Sequence, residues 1–200
     1  AEQSLVEFID DVYAGRSPGG IAGLHSRNVD GSIRQHRPPR YEDAVLDLPF
    51  PAWDLFPRTN VFPILSERGC PYSCVFCSRN MSRVVRSRPV EHVVEEVRWL
   101  ITDFGAKSIY FEDETFGLQA ERTYLLLDRL AHLNNDRRIC FKAQTRVDRI
   151  TRRMAQMMKR AGFRYLEIGI ESGDQSVLDS AQKGIRVKDV EATIRMLADT

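Results

Sequence analysis

The sequence predicts an α/β fold in which parallel strands alternate with covering helices. Three observations lead there. Short apolar runs alternate with helical periodicities at about thirty residues per unit, the repeat of βα pairs joined by right-handed crossovers. Polar clusters stand where each of four strands should stop: Cys70, Cys74 and Cys77 after the first, Glu112 and Asp113 after the second, Gln144 and Arg146 after the third, Glu171 and Ser172 after the fourth. Ligands in such sheets sit at the carboxy-terminal ends of the strands, so the four clusters share one rim. Finally, Pro63 falls inside the first strand. It removes a ladder donor there, which suits an edge and therefore an open sheet.

Composition bounds what surrounds that rim. Two hundred residues with 42% hydrophobic content make one domain, or one domain plus a fragment of another. A net charge of +1 gives no global attraction to nucleic acid or to an anionic membrane. Four cysteines, three of them in one motif, leave no even disulfide framework and suit a reducing compartment, the cytoplasm. No apolar stretch approaches the roughly 20 residues of a membrane span, and no basic segment followed by an apolar one opens the chain. The chain begins at Ala1, without Met, in what reads as the middle of a helix. A piece of a longer or processed chain is expected.

From Ser4 to Tyr13, Leu5, Phe8, Ile9 and Val12 recur at helical spacing opposite Glu7, Asp10 and Asp11. Gly15, Pro18, Gly19 and Gly20 end that helix. Ile21 to Leu24 reads as a short strand, Asn28 to Ser32 as a turn around an Asp-Gly step, and Gln35 to Arg40 as a basic, extended linker. Residues 1–45 thus form a short α/β lead-in, and residues 46–200 the main domain. Next, Pro49, Pro51 and Pro57 hold the chain extended while Phe50, Trp53 and Phe56 offer surfaces to dock, which reads as an anchored linker. Val61 to Ser66 is the first strand. Ser78 to Arg88, with Arg79, Arg83, Arg86 and Arg88, reads as a solvated loop.

Between that strand and that loop lies Cys70-Pro71-Tyr72-Ser73-Cys74-Val75-Phe76-Cys77. Three thiolates in C-x3-C-x2-C spacing grip one metal centre without saturating it, because structural zinc and an electron-transfer cubane both take a fourth ligand. The chain's other cysteine is Cys140, and no His follows Cys77 at zinc-finger spacing. An open iron is one reading. The alternatives are a zinc or iron-sulfur module completed by Cys140 or a distant His, or buried thiols without metal.

Beyond Pro89, Val90, Val93, Val94, Val97, Leu100 and Ile101 line one face of a helix that Gly105 ends. Lys107 to Phe111 is a strand. Leu125, Leu126, Leu130 and Leu133 line a second helix, closed at Asn134-Asn135, and Ile139 to Ala143 is the third strand. Met154, Met157, Met158 and Ala161 make a third helix stopped by Gly162, Tyr165 to Ile170 the fourth strand, and Lys188 to Asp199 a last helix.

The C-x3-C-x-aromatic-C motif, with Phe76 as the aromatic, resembles that of the radical S-adenosylmethionine (SAM) enzymes. Leu48-Pro49-Phe50-Pro51-Ala52 and Gly169-Ile170-Glu171-Ser172-Gly173 resemble their subgroup with an upstream cobalamin-binding domain. The resemblance implies a partial, open TIM-type βα barrel, of which about four of six βα units are present. It implies that Cys70, Cys74 and Cys77 ligate a 4Fe-4S cluster, whose fourth iron SAM chelates. SAM is then cleaved reductively to a 5'-deoxyadenosyl radical that attacks an unreactive carbon, for cobalamin-dependent methyl transfer or ring formation. Glu112 or Asp113 would meet the SAM amino group, Arg146 beside Gln144 its carboxylate, Glu171 and Ser172 the ribose, and the chain near Tyr72 and Phe76 the adenine. Cobalamin would be held mainly by an upstream Rossmann-like domain, with residues 1–45 as its tail. The implied partners are an electron donor such as flavodoxin or ferredoxin and a small-molecule substrate. A methylthiotransferase acting on RNA shares the motif, but it should bring a basic module that the net charge of +1 does not reveal.

Overall fold

The computed structural model describes residues 2–38, 48–78 and 82–200. The chain divides into two compact units, Ala1–Glu42 and Asp43–Thr200. Among the described residues no helix is long and apolar enough to cross a membrane.

The first unit holds helix α1 (Glu2–Tyr13) and an antiparallel hairpin, β1 (His25–Arg27) and β2 (Ile33–Gln35). The Asp30 carboxylate accepts the Ser32 amide (2.9 Å) and hydroxyl (2.6 Å), which folds the Asp-Gly turn as the sequence predicts. That turn sets the register, pairing His25 with Gln35. Pairing therefore starts later than the Ile21–Leu24 strand expected from sequence, and only a bridge from Ala22 to Arg37 forms there. The linker expected from Gln35 is also corrected. Gln35 closes β2, and the His36 ring accepts the Gly20 amide at Nδ1 (3.3 Å) and lies 3.0 Å from Ser26 Oγ at Nε2. Pro39, Arg40 and the expected 45/46 boundary lie outside the described residues.

The second unit runs β3 (Val61–Ile64), β4 (Glu67–Arg68), β5 (Arg86–Ser87), α2 (Val90–Phe104), β6 (Ser108–Phe111), α3 (Ala120–Leu133) and β7 (Cys140–Arg146). It continues with α4 (Arg152–Ala161), β8 (Phe163–Gly169), α5 (Gln175–Ser180) and α6 (Val187–Ala198). Strands β3, β6, β7 and β8 form one parallel sheet in that order. Each new strand adds on the same side, the growth pattern of a barrel and not of a doubly wound sheet, whose order reverses. Pro63 sits on edge strand β3 opposite Tyr110, where its missing N–H costs no ladder bond.

Side chains alternate across the sheet as the period of two requires. Phe62, Ile64, Ile109, Phe111, Phe141 and Ala143 are buried in one core with Val93, Val97 and Leu100 of α2, Leu126, Leu127 and Leu130 of α3, and Met154 and Met158 of α4. Burial of each large side chain contributes about 1.5–3 kcal/mol. The opposite face carries Ser108, Tyr110, Lys142, Tyr165 and Glu167, none of them buried. The aromatic linker is docked: Phe50 stacks on His92 and Trp99 (ring centroids 4.7 and 5.7 Å), and Trp53 meets Phe62 edge-on.

Helix ends follow their local chemistry. Gly105 and Gly162 cap α2 and α4 in the left-handed conformation (φ 66° and 106°), and the Thr151 hydroxyl accepts the Met154 amide at the start of α4. Buried Asn134 ties three elements together by donating to the Ile139 and Ala161 carbonyls (2.9 Å each) and accepting the Ile139 amide (3.0 Å). Asn134→Ala leaves those three backbone groups without their partner. A loss of about 3 kcal/mol is expected, read as a drop of about 10 °C in thermal midpoint.

Two expectations about Ser78 to Arg88 change. Arg86 and Ser87 pair with β4 in an antiparallel ribbon. Arg88 is no solvated side chain: it forms an ion pair with buried Glu96 (2.6 Å) and donates to the Leu65 carbonyl (2.7 Å), fastening the ribbon to α2 and β3. Arg79 lies outside the described residues.

Candidate active site: a cysteine loop facing the strand ends

Gly69 turns the chain from β4 into the cysteine loop at φ 99°, a conformation that glycine adopts without strain. The loop is fastened at three points: the Cys70 amide donates to Ser82 (3.0 Å), the Val75 amide to Ala181 (3.0 Å), and the Cys77 amide to Cys74 (3.3 Å). Cys74 is buried, Cys70 half-buried and Cys77 exposed.

All three thiols border one cavity of about 350 Å³. Its opposite wall comes from three strand ends: Glu114 and Thr115 after β6, Gln144 and Arg146 of β7, Glu167 and Gly169 of β8. Glu171 and Lys183 complete it. The Thr115 hydroxyl lies 3.5 Å from Cys70 Sγ, and Arg146 Nη1 donates to Cys74 Sγ at 3.8 Å. Among the described residues no three His, Cys, Asp or Glu side chains converge on a single ion. Three thiols set around a shared cavity fit a cluster gripped at three corners better than one tetrahedral zinc.

The alternative fourth ligands lie elsewhere. Cys140 opens β7 while Arg146, which reaches Cys74, ends it, and six residues of strand span about 20 Å. Among the described residues no histidine lines the cavity.

The residues expected to hold SAM separate into two groups. Phe76, Gln144, Arg146 and Glu171 line the cavity with the cysteines. Glu112, Asp113, Tyr72 and Ser172 do not. Glu112 is exposed, with its amide donating to Ile64. Asp113 is 1% exposed, and its carboxylate accepts the Ser66 amide (2.6 Å), the Ser66 hydroxyl (2.5 Å) and the Glu67 amide (3.0 Å). It latches the end of β3 to the end of β6. Tyr72 lies under the Arg146 guanidinium, 3.6 Å from ring centroid to Cζ, and the Ser172 hydroxyl accepts the Asp174 amide that leads into α5.

Arg146 is 5% exposed. Nε and Nη2 grip the Asp148 carboxylate (2.9 and 3.2 Å), and Nη2 also donates to the Lys183 carbonyl (2.8 Å). Burial opposes its charge, but the Asp148 hydrogen bonds and carboxylate outweigh that and hold its pKa above the ordinary arginine value. The fork expected to receive a ligand carboxylate is thus already on Asp148.

Lys183 is the basic residue that sequence reading missed. Its ammonium pairs with Glu171 (2.8 Å) and lies 5.6 Å from the Phe76 ring centroid. The short helix α5, begun by Asp174 capping the Ser176 and Val177 amides, folds it back to the rim. Asp174 was a legible capping signal. A Cβ on Gly169 would approach Glu171 Oε1 and Lys183 Nζ to 2.8 and 3.0 Å, so glycine makes room for the pair. Glu171 itself takes φ 67°, a left-handed conformation that costs a non-glycine residue roughly 1–2 kcal/mol. Farther along the open face, the Glu167 carboxyl is held below its usual range by hydrogen bonds from Lys142 and from the Tyr110 hydroxyl (2.9 Å). Burial, then that bond, push Tyr110 up to about 12.

The Asp113 latch has a pH dependence. Burial pushes its pKa up to about 6 from 3.8, against the hydrogen bonds from Ser66 and Glu67. Between those values the folded chain holds more proton than the unfolded chain, so this group's contribution to stability falls as pH rises from about 4 to about 6. Asp113→Asn keeps all three bonds, its oxygen accepting both amides and its NH₂ donating to Ser66. It should lose that slope in urea unfolding followed across the window; Asp113→Ala loses the slope too, and its cost of about 3 kcal/mol at the acid end shrinks as pH rises.

Comparison with known proteins adds to this geometry. The sequence model of the radical SAM superfamily matches residues 64–200. An uncharacterized methyltransferase of Pyrococcus horikoshii, PH0819, is 33% identical over 193 residues, which are 92% of this chain and 41% of that relative. Among solved structures, the radical SAM methyltransferase TsrM from Kitasatospora setae, with cobalamin and a 4Fe-4S cluster bound, superposes with TM-score 0.82 at 20% identity. The match covers 100% of this chain and 43% of TsrM. The cobalamin-dependent SAM radical enzyme OxsB, with aqua-cobalamin and SAM bound, gives 0.80 at 22% identity, covering 97% and 30%. These two likenesses establish a shared fold.

Proposed function

Because the chain belongs to the radical SAM superfamily, we propose that Cys70, Cys74 and Cys77 hold three irons of the 4Fe-4S cluster that the family carries, and that SAM fills the cavity beside them. The observation that carries this reading is the convergence of the three thiols with carboxylates and one ammonium on a single cavity at the strand ends. The cluster, when bound, supplies the electron that cleaves a carbon-sulfur bond of SAM.

The chain's own residues bind and orient. Glu114, which lines the cavity while Glu112 and Asp113 do not, is the carboxylate that suits the SAM amino group. Lys183, with one N–H on Glu171, takes the ligand carboxylate in place of Arg146. Glu171 and Gln144 suit ribose hydroxyls, and Phe76 offers adenine an apolar face. Buried Cys74 and the Arg146–Tyr72 stack exclude water from the inner wall.

The reaction class we propose is methyl transfer with cobalamin, on a full-length protein of which this chain is the barrel portion and residues 1–45 the tail of a cobalamin-binding domain. It is supported by the likeness to PH0819 and by the fold shared with TsrM and OxsB. Radical SAM enzymes require a reductant and a substrate. A flavodoxin or ferredoxin in a reducing cytoplasm suits the first role, and a small molecule the second.

The test is anaerobic reconstitution with iron and sulfide, addition of dithionite and SAM, and chromatography. Accumulation of 5'-deoxyadenosine with methionine is expected, and S-adenosylhomocysteine as a further product when cobalamin and the full-length protein are supplied. A reconstituted protein that yields neither 5'-deoxyadenosine nor S-adenosylhomocysteine contradicts the proposal. Cleavage without S-adenosylhomocysteine removes methyl transfer alone.

A further inference from the structure

We infer that Arg146 acts on the metal centre and not on SAM: through its Nη1–H to Cys74 Sγ it raises the reduction potential of the cluster held by the three cysteines. The inference rests on the cluster reading above. Its grounds are the geometry of one buried side chain. Three of the guanidinium's contacts, two on Asp148 and one on the Lys183 carbonyl, fix its plane, and the Tyr72 ring closes its face at 3.6 Å. What remains directed at the cavity wall is Nη1, whose acceptor is the most buried of the three thiols, 3.8 Å away. A planar cation locked this firmly is a poor gripper of an incoming carboxylate and a good fixed donor to sulfur.

The physical consequence has a definite sign. One electron taken up from a low-potential one-electron donor adds one negative charge at the site, with no bond broken and no proton moved. A fixed cationic N–H on a ligating sulfur stabilises the more negative state, and hydrogen bonds to sulfur together with local charge are what set such potentials. Asp148 works oppositely: it neutralises part of the guanidinium charge, and with side-chain exposure of 29% it can be altered without opening the core. Arg146 is therefore a positioning and tuning residue. Asp148 sets how much of its charge the cluster feels.

The experiment is a spectroscopically followed redox titration of the reconstituted wild-type protein, Arg146→Gln, Arg146→Lys and Asp148→Asn, without SAM. Arg146→Gln should shift the oxidised-to-reduced ratio at fixed potential about tenfold toward oxidised, about 59 mV more negative for one electron. Asp148→Asn should shift it in the opposite direction, and Arg146→Lys should fall between wild type and Arg146→Gln. A merely structural role moves neither potential, or moves both the same way, and either result overturns the inference. So does failure of both Arg146 variants to incorporate iron and sulfide, which makes the residue a strut. A wild-type protein that takes up no cluster instead overturns the reading on which the inference rests.

Discussion

Replacing Cys70, Cys74 or Cys77 with alanine is expected to abolish incorporation of iron and sulfide, while Cys140→Ala should retain it at the wild-type level. The three loop cysteines border one cavity. Cys140 stands at the other end of β7, about 20 Å along the strand. If a zinc or electron-transfer module closed by a fourth thiolate were present, the Cys140 variant would lose metal as completely as the others. The assay is colorimetric iron and acid-labile sulfide on anaerobically reconstituted protein. Far-ultraviolet circular dichroism of the four variants is expected to match the wild type, because the cysteines of the loop lie outside the sheet.

Gly69→Ala is expected to have the next largest effect, although the residue ligates nothing. At φ 99° an alanine pays a left-handed penalty of roughly 1–2 kcal/mol. Its Cβ would also fall inside the van der Waals envelope of the Val84 carbonyl oxygen and 2.9 Å from the carbonyl carbon. Both neighbours are backbone, so the clash is relieved only by moving the segment 82–84, whose Ser82 carbonyl anchors the Cys70 amide. The expected outcome is a thermal midpoint lowered by about 5 °C or more and much faster loss of iron on dilution into chelator, with secondary structure retained. Wild-type iron retention in this variant would show that the turn does not place Cys70.

The βα repeat was legible because each strand and helix carries its own period and its own punctuation, as Gly105, Asn134 and Gly162 do at three helix ends. Pro63 even located the edge of the sheet. The rim was legible only in part. Sequence places Glu112, Asp113 and Glu114 together at the end of β6, but which of them turns inward depends on the latch that Asp113 makes with Ser66 and Glu67 some 46 or 47 residues earlier. No local pattern encodes that partner. Lys183 was hidden for a related reason: its approach to the cavity depends on α5, a helix of six residues too short to show a period. Arg146 lines the cavity with the cysteines, but the neighbour that occupies its fork, Asp148, is two residues away and reads on paper as an ordinary surface acid.

The measurement that bears most directly on the central claim is electron paramagnetic resonance of the dithionite-reduced, reconstituted protein before and after SAM is added. If the three cysteines leave one iron open to the cavity, SAM changes the spectrum of the reduced cluster in the wild-type protein. A cluster that incorporates iron and sulfide, accepts the electron and gives the same spectrum with and without SAM would contradict the account.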